Sequence, residues 1–153
     1  MQIKAALLLS SLTLIFALGA CSGPDTSDPR EVVIAFFGAM EKDDKAALAR
    51  LLDIARLMEN SEQDYALQKE DNRVFTNPEE LLDDLTGDGE TKQTWFKYQR
   101  IVNQAKISGQ TATVEVTFVD KEASQGYRLM FGLERTEGRW RIYSFQTHQE
   151  PGG

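Results

Sequence analysis

The hydrophobic period of this chain changes once, near residue 97, and that switch constrains the fold more than any other feature. Before it, apolar residues recur at three- and four-residue spacing; after it, they alternate. Val33, Phe36, Phe37 and Met40 form one stripe, and the helix that carries them is punctuated at its start by Asp28 as N-cap, Pro29 at N1 and Glu31 at N3. The charged run 41–44 breaks the stripe, and Asp43 or Asp44 caps a second helix whose buried side is Leu48, Leu51, Leu52, Ile54, Ala55 and Met58. A third helix repeats the punctuation with Asn77, Pro78 and Glu80, turns Leu81, Leu82 and Leu85 inward, and ends at Gly87-Asp88-Gly89. Residues 59–72 are polar, with Tyr65 and Leu67 as the sizeable apolar side chains, and read as either helix or irregular connector.

Residues 97–107 then read as a strand, and Ser108-Gly109 supplies a turn. Over 111–120, Ala112, Val114, Val116 and Phe118 take one face and Thr113, Glu115 and Thr117 the other. A polar loop over 121–126 leads to a second hairpin, 127–135 with 139–147, around Glu137-Gly138. Two registers are open there. A two-residue turn pairs Leu133 with Ile142 and Glu134 with Arg141. A three-residue loop, Thr136-Glu137-Gly138, pairs Phe131 with Tyr143 and Leu129 with Phe145. The second is favoured, because the two-residue form places Glu137 at positive φ. Helices first and four antiparallel strands after give an α+β class, with N-terminal helices packed on one face of a bent four-stranded antiparallel sheet.

The N-terminus changes what the mature protein is. Lys4 precedes an apolar run over 5–20, broken by Ser10, Ser11 and Thr13. The run is shorter than the ~20 residues a spanning helix needs. A basic start, an apolar middle and a small-residue end form the pattern of a removable secretory signal. Leu18-Gly19-Ala20-Cys21 resembles the lipobox of bacterial lipoproteins. That resemblance implies cleavage between Ala20 and Cys21, lipidation of the Cys21 sulfur, and usually a third acyl chain (palmitate or similar) on the new amine. Two or three chains anchor a protein firmly where one anchors it marginally. Cys21 is the single cysteine of the chain, so it has no intrachain disulfide partner.

Removing residues 1–20 leaves 133 residues, with 16 basic against 24 acidic side chains. That length fits one domain. The expected organisation is a signal over 1–20, a lipidated tether over 21–27, a domain over 28–148 and a tail over 149–153. The tether reaches at most roughly 25 Å when extended, which keeps the domain beside the membrane. The acidity argues against nucleic acid and against headgroup binding as the main activity.

The segments 29–37, 42–48, 107–116 and 138–142 make the domain similar to the nuclear transport factor 2-like, cystatin-like cone superfamily. Within it, the chain most resembles small lipoproteins carrying a domain of unknown function with a lumazine-binding-like fold. The resemblance implies a strongly bent sheet wrapped around a long N-terminal helix, with a cavity at the open end. Some relatives use that cavity as an isomerase or dehydratase site; others bind ligands or partners. Fold alone does not choose.

The chemistry read from the residues is sparse. His148, the one histidine, sits at the end of the last strand and reads as a solvated tail residue. The acids lie mostly at helix ends, where capping explains them, and no Asp or Glu interrupts an apolar stripe. The run 83–90 lacks the acidic twelfth position of a calcium loop, since Trp95 stands there. No catalytic residue, metal or cofactor is therefore assigned. The candidate ligand pocket is aromatic: Phe36, Phe37, Met40, Trp95, Phe96 and Tyr98, against the alternative that these are ordinary core. The expected function is a non-catalytic envelope lipoprotein that binds a small apolar ligand or a protein partner at the open end of the cone. In a Gram-negative cell Ser22, which is not Asp, directs it to the outer membrane. The alternatives are an isomerase- or dehydratase-type enzyme and a module that dimerises through its sheet face, the latter marked by an exposed apolar strip with Val119, Met130 or Tyr143.

Overall fold

A computed structural model describes residues 26–60, 75–120, 122 and 126–147. Among them are five helices, α1 (Pro29–Glu41), α2 (Lys45–Leu51), α3 (Ile54–Asn60), α4 (Pro78–Asp84) and α5 (Glu90–Phe96), followed by β1 (Gln99–Ser108), β2 (Thr111–Val119), β3 (Gly126–Thr136) and β4 (Arg139–Thr147). The strands form one antiparallel sheet in meander order, β1-β2-β3-β4. The expected α+β class holds.

Caps place the helices. The Asp28 carboxylate accepts from Arg30 N at 2.8 Å, Asp44 accepts from Ala47 N at 2.8 Å, and Asn77 accepts from Glu80 N at 3.0 Å. Each satisfies a first-turn N–H that has no intrahelical acceptor. The second predicted helix divides. Leu52 turns extended, forms a parallel bridge with Ile142, and Asp53 N donates to Ile142 O at 2.8 Å. This covers the β4 edge of the sheet. The break also shifts the buried face: Leu57 is buried and Ala55 is exposed. Residues 90–96 form α5, where the sequence reading has only a turn before the strand. The signal there is weak, since Trp95 and Thr91 are its only buried side chains.

The favoured register of the second hairpin is overturned. Leu133 pairs with Ile142 and Glu134 with Arg141, around a two-residue Glu137-Gly138 turn with φ of 51° and 78°. Both central residues at positive φ make a type I′ turn, whose twist matches the strands. One residue further in, the pairing slips between Gly132 and Leu133, so that Phe131 faces Phe145. The physical reason is spacing. Ile142 and Phe145 are three apart, and strict alternation can bury only one of them. The bulge buries both and turns Tyr143 outward, over Gly132 and beneath the Arg56 guanidinium at 3.9 Å. A second bulge, between Val102 and Ala105 on β1, lets both pack half-buried against the core. Such bulges bend and twist a sheet.

The core lies between α1 and the inner sheet face. Val32, Val33, Phe36 and Met40 of α1 meet Val114, Val116, Phe118, Leu129, Phe131, Leu133, Ile142 and Phe145, all at most 1% exposed. The alternation predicted for β2 is present, with Ala112, Val114, Val116 and Phe118 all buried.

Candidate functional site

Four of the six predicted pocket residues, Phe36, Phe37, Met40 and Trp95, are packed inside the core. The Phe36 ring lies 5.2 Å from Phe37, 5.8 Å from Phe131, 5.5 Å from Phe145 and 6.2 Å from Trp95 between centroids. These are direct ring contacts, so these side chains fill the space between helix and sheet with one another. The remaining two, Phe96 and Tyr98, are half-buried and sit where α5 hands over to β1.

That junction, at the end of the sheet away from both hairpin turns, is termed the mouth. A transverse row crosses the inner face there, Arg100 opposite Phe118 on β2 and Phe118 opposite Tyr127 on β3. Tyr127 stacks on Phe118 at 4.7 Å with the planes nearly parallel, and Tyr98 meets Tyr127 edge-on at 5.3 Å. Burial, and secondarily the neighbouring Tyr98, push the Tyr127 hydroxyl above its usual pKa, so it is a neutral phenol at neutral pH.

Arg100 is the polar centre of this mouth. Its guanidinium lies 3.9 Å over Phe96 and 5.5 Å from Phe37, and one of its terminal nitrogens donates to Trp95 O at 3.0 Å and Tyr98 O at 3.2 Å. Burial pulls its pKa below the usual arginine value, and Glu41 opposes that effect. No described carboxylate lies within ion-pair distance of it. Two carbonyls use part of a five-donor fork, which leaves guanidinium N–H groups for another acceptor. Arg100 is the residue that sequence reading missed. Its signal is positional: it stands two residues, one full step of alternation, before Val102, which puts it inward, across from Phe118.

The acids also depart from expectation at one place. Asp84 is 4% exposed, although it stands at a helix end. Its carboxylate accepts from the Thr91 hydroxyl at 2.5 Å and from Thr91 N at 3.4 Å, which ties α4 to α5. Gly89 is required for that tie, because a Cβ there would lie 2.2 Å from Asp84 O. The other expected acids stay at the surface. Asp43, at φ 55°, accepts from Gly87 N at 2.6 Å and from Lys92 at 2.5 Å, and Lys45 bridges Glu79 and Asp83.

On the outer face, a depression of about 230 Å³ is lined by Asn103, Gln104, Lys106, Thr113, Glu115 and Met130. Asn103 donates to Glu115 and to Thr117, each at 3.1 Å. Val119, Met130 and Tyr143 are half-buried. Ala20, Cys21 and His148 lie outside the described residues. Among the described residues no group of His, Cys, Asp and Glu is placed to hold a metal, and no helix is long and apolar enough to cross a membrane.

The chain is similar to several solved chains, among them ones named as nuclear transport factor 2-like (NTF2-like), each with a TM-score below 0.5. One is an NTF2-like protein of unknown function from Shewanella baltica, 17% identical, covering 80% of this chain and 90% of its own, with a TM-score of 0.47. A DUF4783 family protein from Bacteroides ovatus is 10% identical, covers 77% and 94%, and has a TM-score of 0.42. A chain from Streptomyces avermitilis with a provisional dehydratase name in the NTF2-like family is 17% identical, covers 84% and 99%, and has a TM-score of 0.48. No protein-family model and no curated protein matches the chain.

Proposed function

We propose that this chain is a lipid-anchored envelope protein whose domain binds, without catalysis, a group that joins an apolar body to an acidic head, presented by a small ligand or by a protein partner. In a Gram-negative cell it sits on the periplasmic side of the outer membrane. The anchor rests on Leu18-Gly19-Ala20-Cys21 behind an apolar run. The binding role rests on one observation: Arg100, held over Phe96 beside Tyr98 and Tyr127, keeps guanidinium donors unspent at the mouth of an otherwise filled core. A planar guanidinium against aromatic rings suits a carboxylate attached to apolar surface. Binding is favoured over catalysis because the buried acid, Asp84, is engaged by Thr91.

Mass spectrometry of natively purified protein tests both parts. The expected result is a diacylglyceryl-modified Cys21 and a retained acidic ligand or partner. Arg100→Met keeps the stem packed on Phe96 and removes the charge. A hydrogen bond to a charged group is worth about 1.5–3 kcal/mol, so retention should fall roughly tenfold or more. An intact, unacylated N-terminus refutes the anchor; unchanged retention in Arg100→Met refutes the site.

A further inference from the structure

The first described residues are tied to one end of the sheet. Trp140 N donates to Thr26 O at 3.1 Å, and the Trp140 indole donates to Ser27 O at 3.2 Å. Trp140 follows the Glu137-Gly138 turn by two residues, and Arg135 N donates to Gln110 O at 2.8 Å, which joins the two hairpin turns. Both turns and the first described residues therefore share one end. From Thr26 back to Cys21 is five residues, at most about 18 Å of extended chain. The row containing Arg100 crosses β2 at Phe118, six residues from Ala112 in the row of Ile107. At about 3.3 Å per residue the mouth is roughly 20 Å from the turn end.

The turn end has its own chemistry. The chain carries a net charge of −7, yet Lys106, Arg135, Arg139 and Arg141 are all exposed here. The nearby acids include Glu134, which is engaged by Arg56; Asp28, which caps α1; Asp53 beside Ile142, whose carboxylate accepts from Arg56 N; Glu137 in the turn; and, in sequence, Asp25 before Thr26. Ile107, 60% exposed, is the most exposed large apolar side chain among the described residues. We infer that this end of the sheet is a docking surface for an anionic bilayer, seating the domain upright with the Arg100 mouth turned away from the membrane. The inference rests on the proposed lipidation of Cys21. The tether limits which surfaces reach the bilayer, the arginines match anionic headgroups, and Ile107 inserts at their level. Juxtamembrane cations each strengthen attraction to an anionic leaflet, and they do so within a Debye length of the surface.

The test uses the acylated full chain in vesicles of phosphatidylethanolamine with phosphatidylglycerol. Once Cys21 is acylated, a substituted cysteine is the only free thiol. Ile107→Cys and, at the opposite end, Gln99→Cys each take an environment-sensitive fluorophore. The label at 107 is expected to move to an apolar environment and the label at 99 to stay aqueous. The apparent seating constant read from the label at 107 should fall about fivefold for each cation removed, as measured in Arg139→Gln and Arg141→Gln. Raising salt on the otherwise unsubstituted labelled chain should reverse the shift too, a measurement independent of whether those variants fold. An equal shift in phosphatidylcholine vesicles, a shift at 99 instead of 107, or a lipid-independent shift accompanied by a dimer mass overturns the inference. The mass of the preparation is read first, so an unacylated Cys21 sinks the anchor proposal, whereas acylated protein with an aqueous label at 107 sinks the docking surface alone.

Discussion

Glu137→Asn should raise the stability of the domain, and the size of the gain follows from the turn. Glu137 sits at φ 51° as the first central residue of a two-residue turn, followed by Gly138 at φ 78°. An ordinary L-residue in the left-handed region is disfavoured by roughly 1–2 kcal/mol, while Asn tolerates it through local hydrogen bonding. Asn-Gly is also the preferred pair for this turn type. Glu137 is exposed, so its backbone conformation is expected to dominate. The expected gain is about 1 kcal/mol, or roughly 3–5 °C in melting temperature for a domain of this size. Thermal unfolding followed by circular dichroism, with Glu137→Val as the opposing control, measures it. Valine, β-branched, should lose about 1 kcal/mol or more at the same site. In a three-residue loop, residue 137 would have negative φ and neither substitution would move the midpoint much. Equal midpoints for all three proteins would therefore refute the type I′ turn and, with it, the pairing that buries Ile142 and Phe145 together.

Three further outcomes follow from particular contacts. Phe36→Ala removes a fully buried ring that touches four others and should cost about 3–5 kcal/mol in denaturant unfolding; a loss below about 1 kcal/mol would mean that the aromatic cluster is not close-packed. Lys92, and next Gly87 N, hold the Asp43 carboxyl below the ordinary aspartate pKa. Its contribution is therefore present above the unfolded-state value and lost as pH falls through the lower folded one. Asp43→Asn, which accepts the same positive φ, should flatten the acid limb of a stability-versus-pH profile, and an unchanged limb would remove Asp43 as its source. Tyr127 is shifted upward by burial, so stability holds below the ordinary tyrosine pKa and falls as pH rises above it. Tyr127→Phe should reduce that alkaline loss, and an identical profile would show that the phenol has the same pKa folded and unfolded, so that burial does not raise it.

By itself the sequence determined the elements whose causes are local. Asp28, Asp44 and Asn77 cap helices because a short polar side chain reaches first-turn N–H groups wherever it stands before a helix. The β2 face was legible because its alternation runs unbroken from Ala112 to Phe118. The α+β class followed from the change of period. Only the tertiary structure decided what depends on two distant segments meeting. Leu52 leaves its helix to cover β4, Asp84 is buried because Thr91 arrives beside it, and the bulge at β4 exists because Ile142 and Phe145 must both enter one core. The mouth belongs to the same class. Phe36, Phe37, Met40 and Trp95 look like pocket lining in one dimension and become packed core in three, whereas Arg100 gains its place from Phe96 beneath it and from its register opposite Phe118. Local spacing encodes which face a side chain takes; which partner fills the space opposite is set by packing across the whole fold.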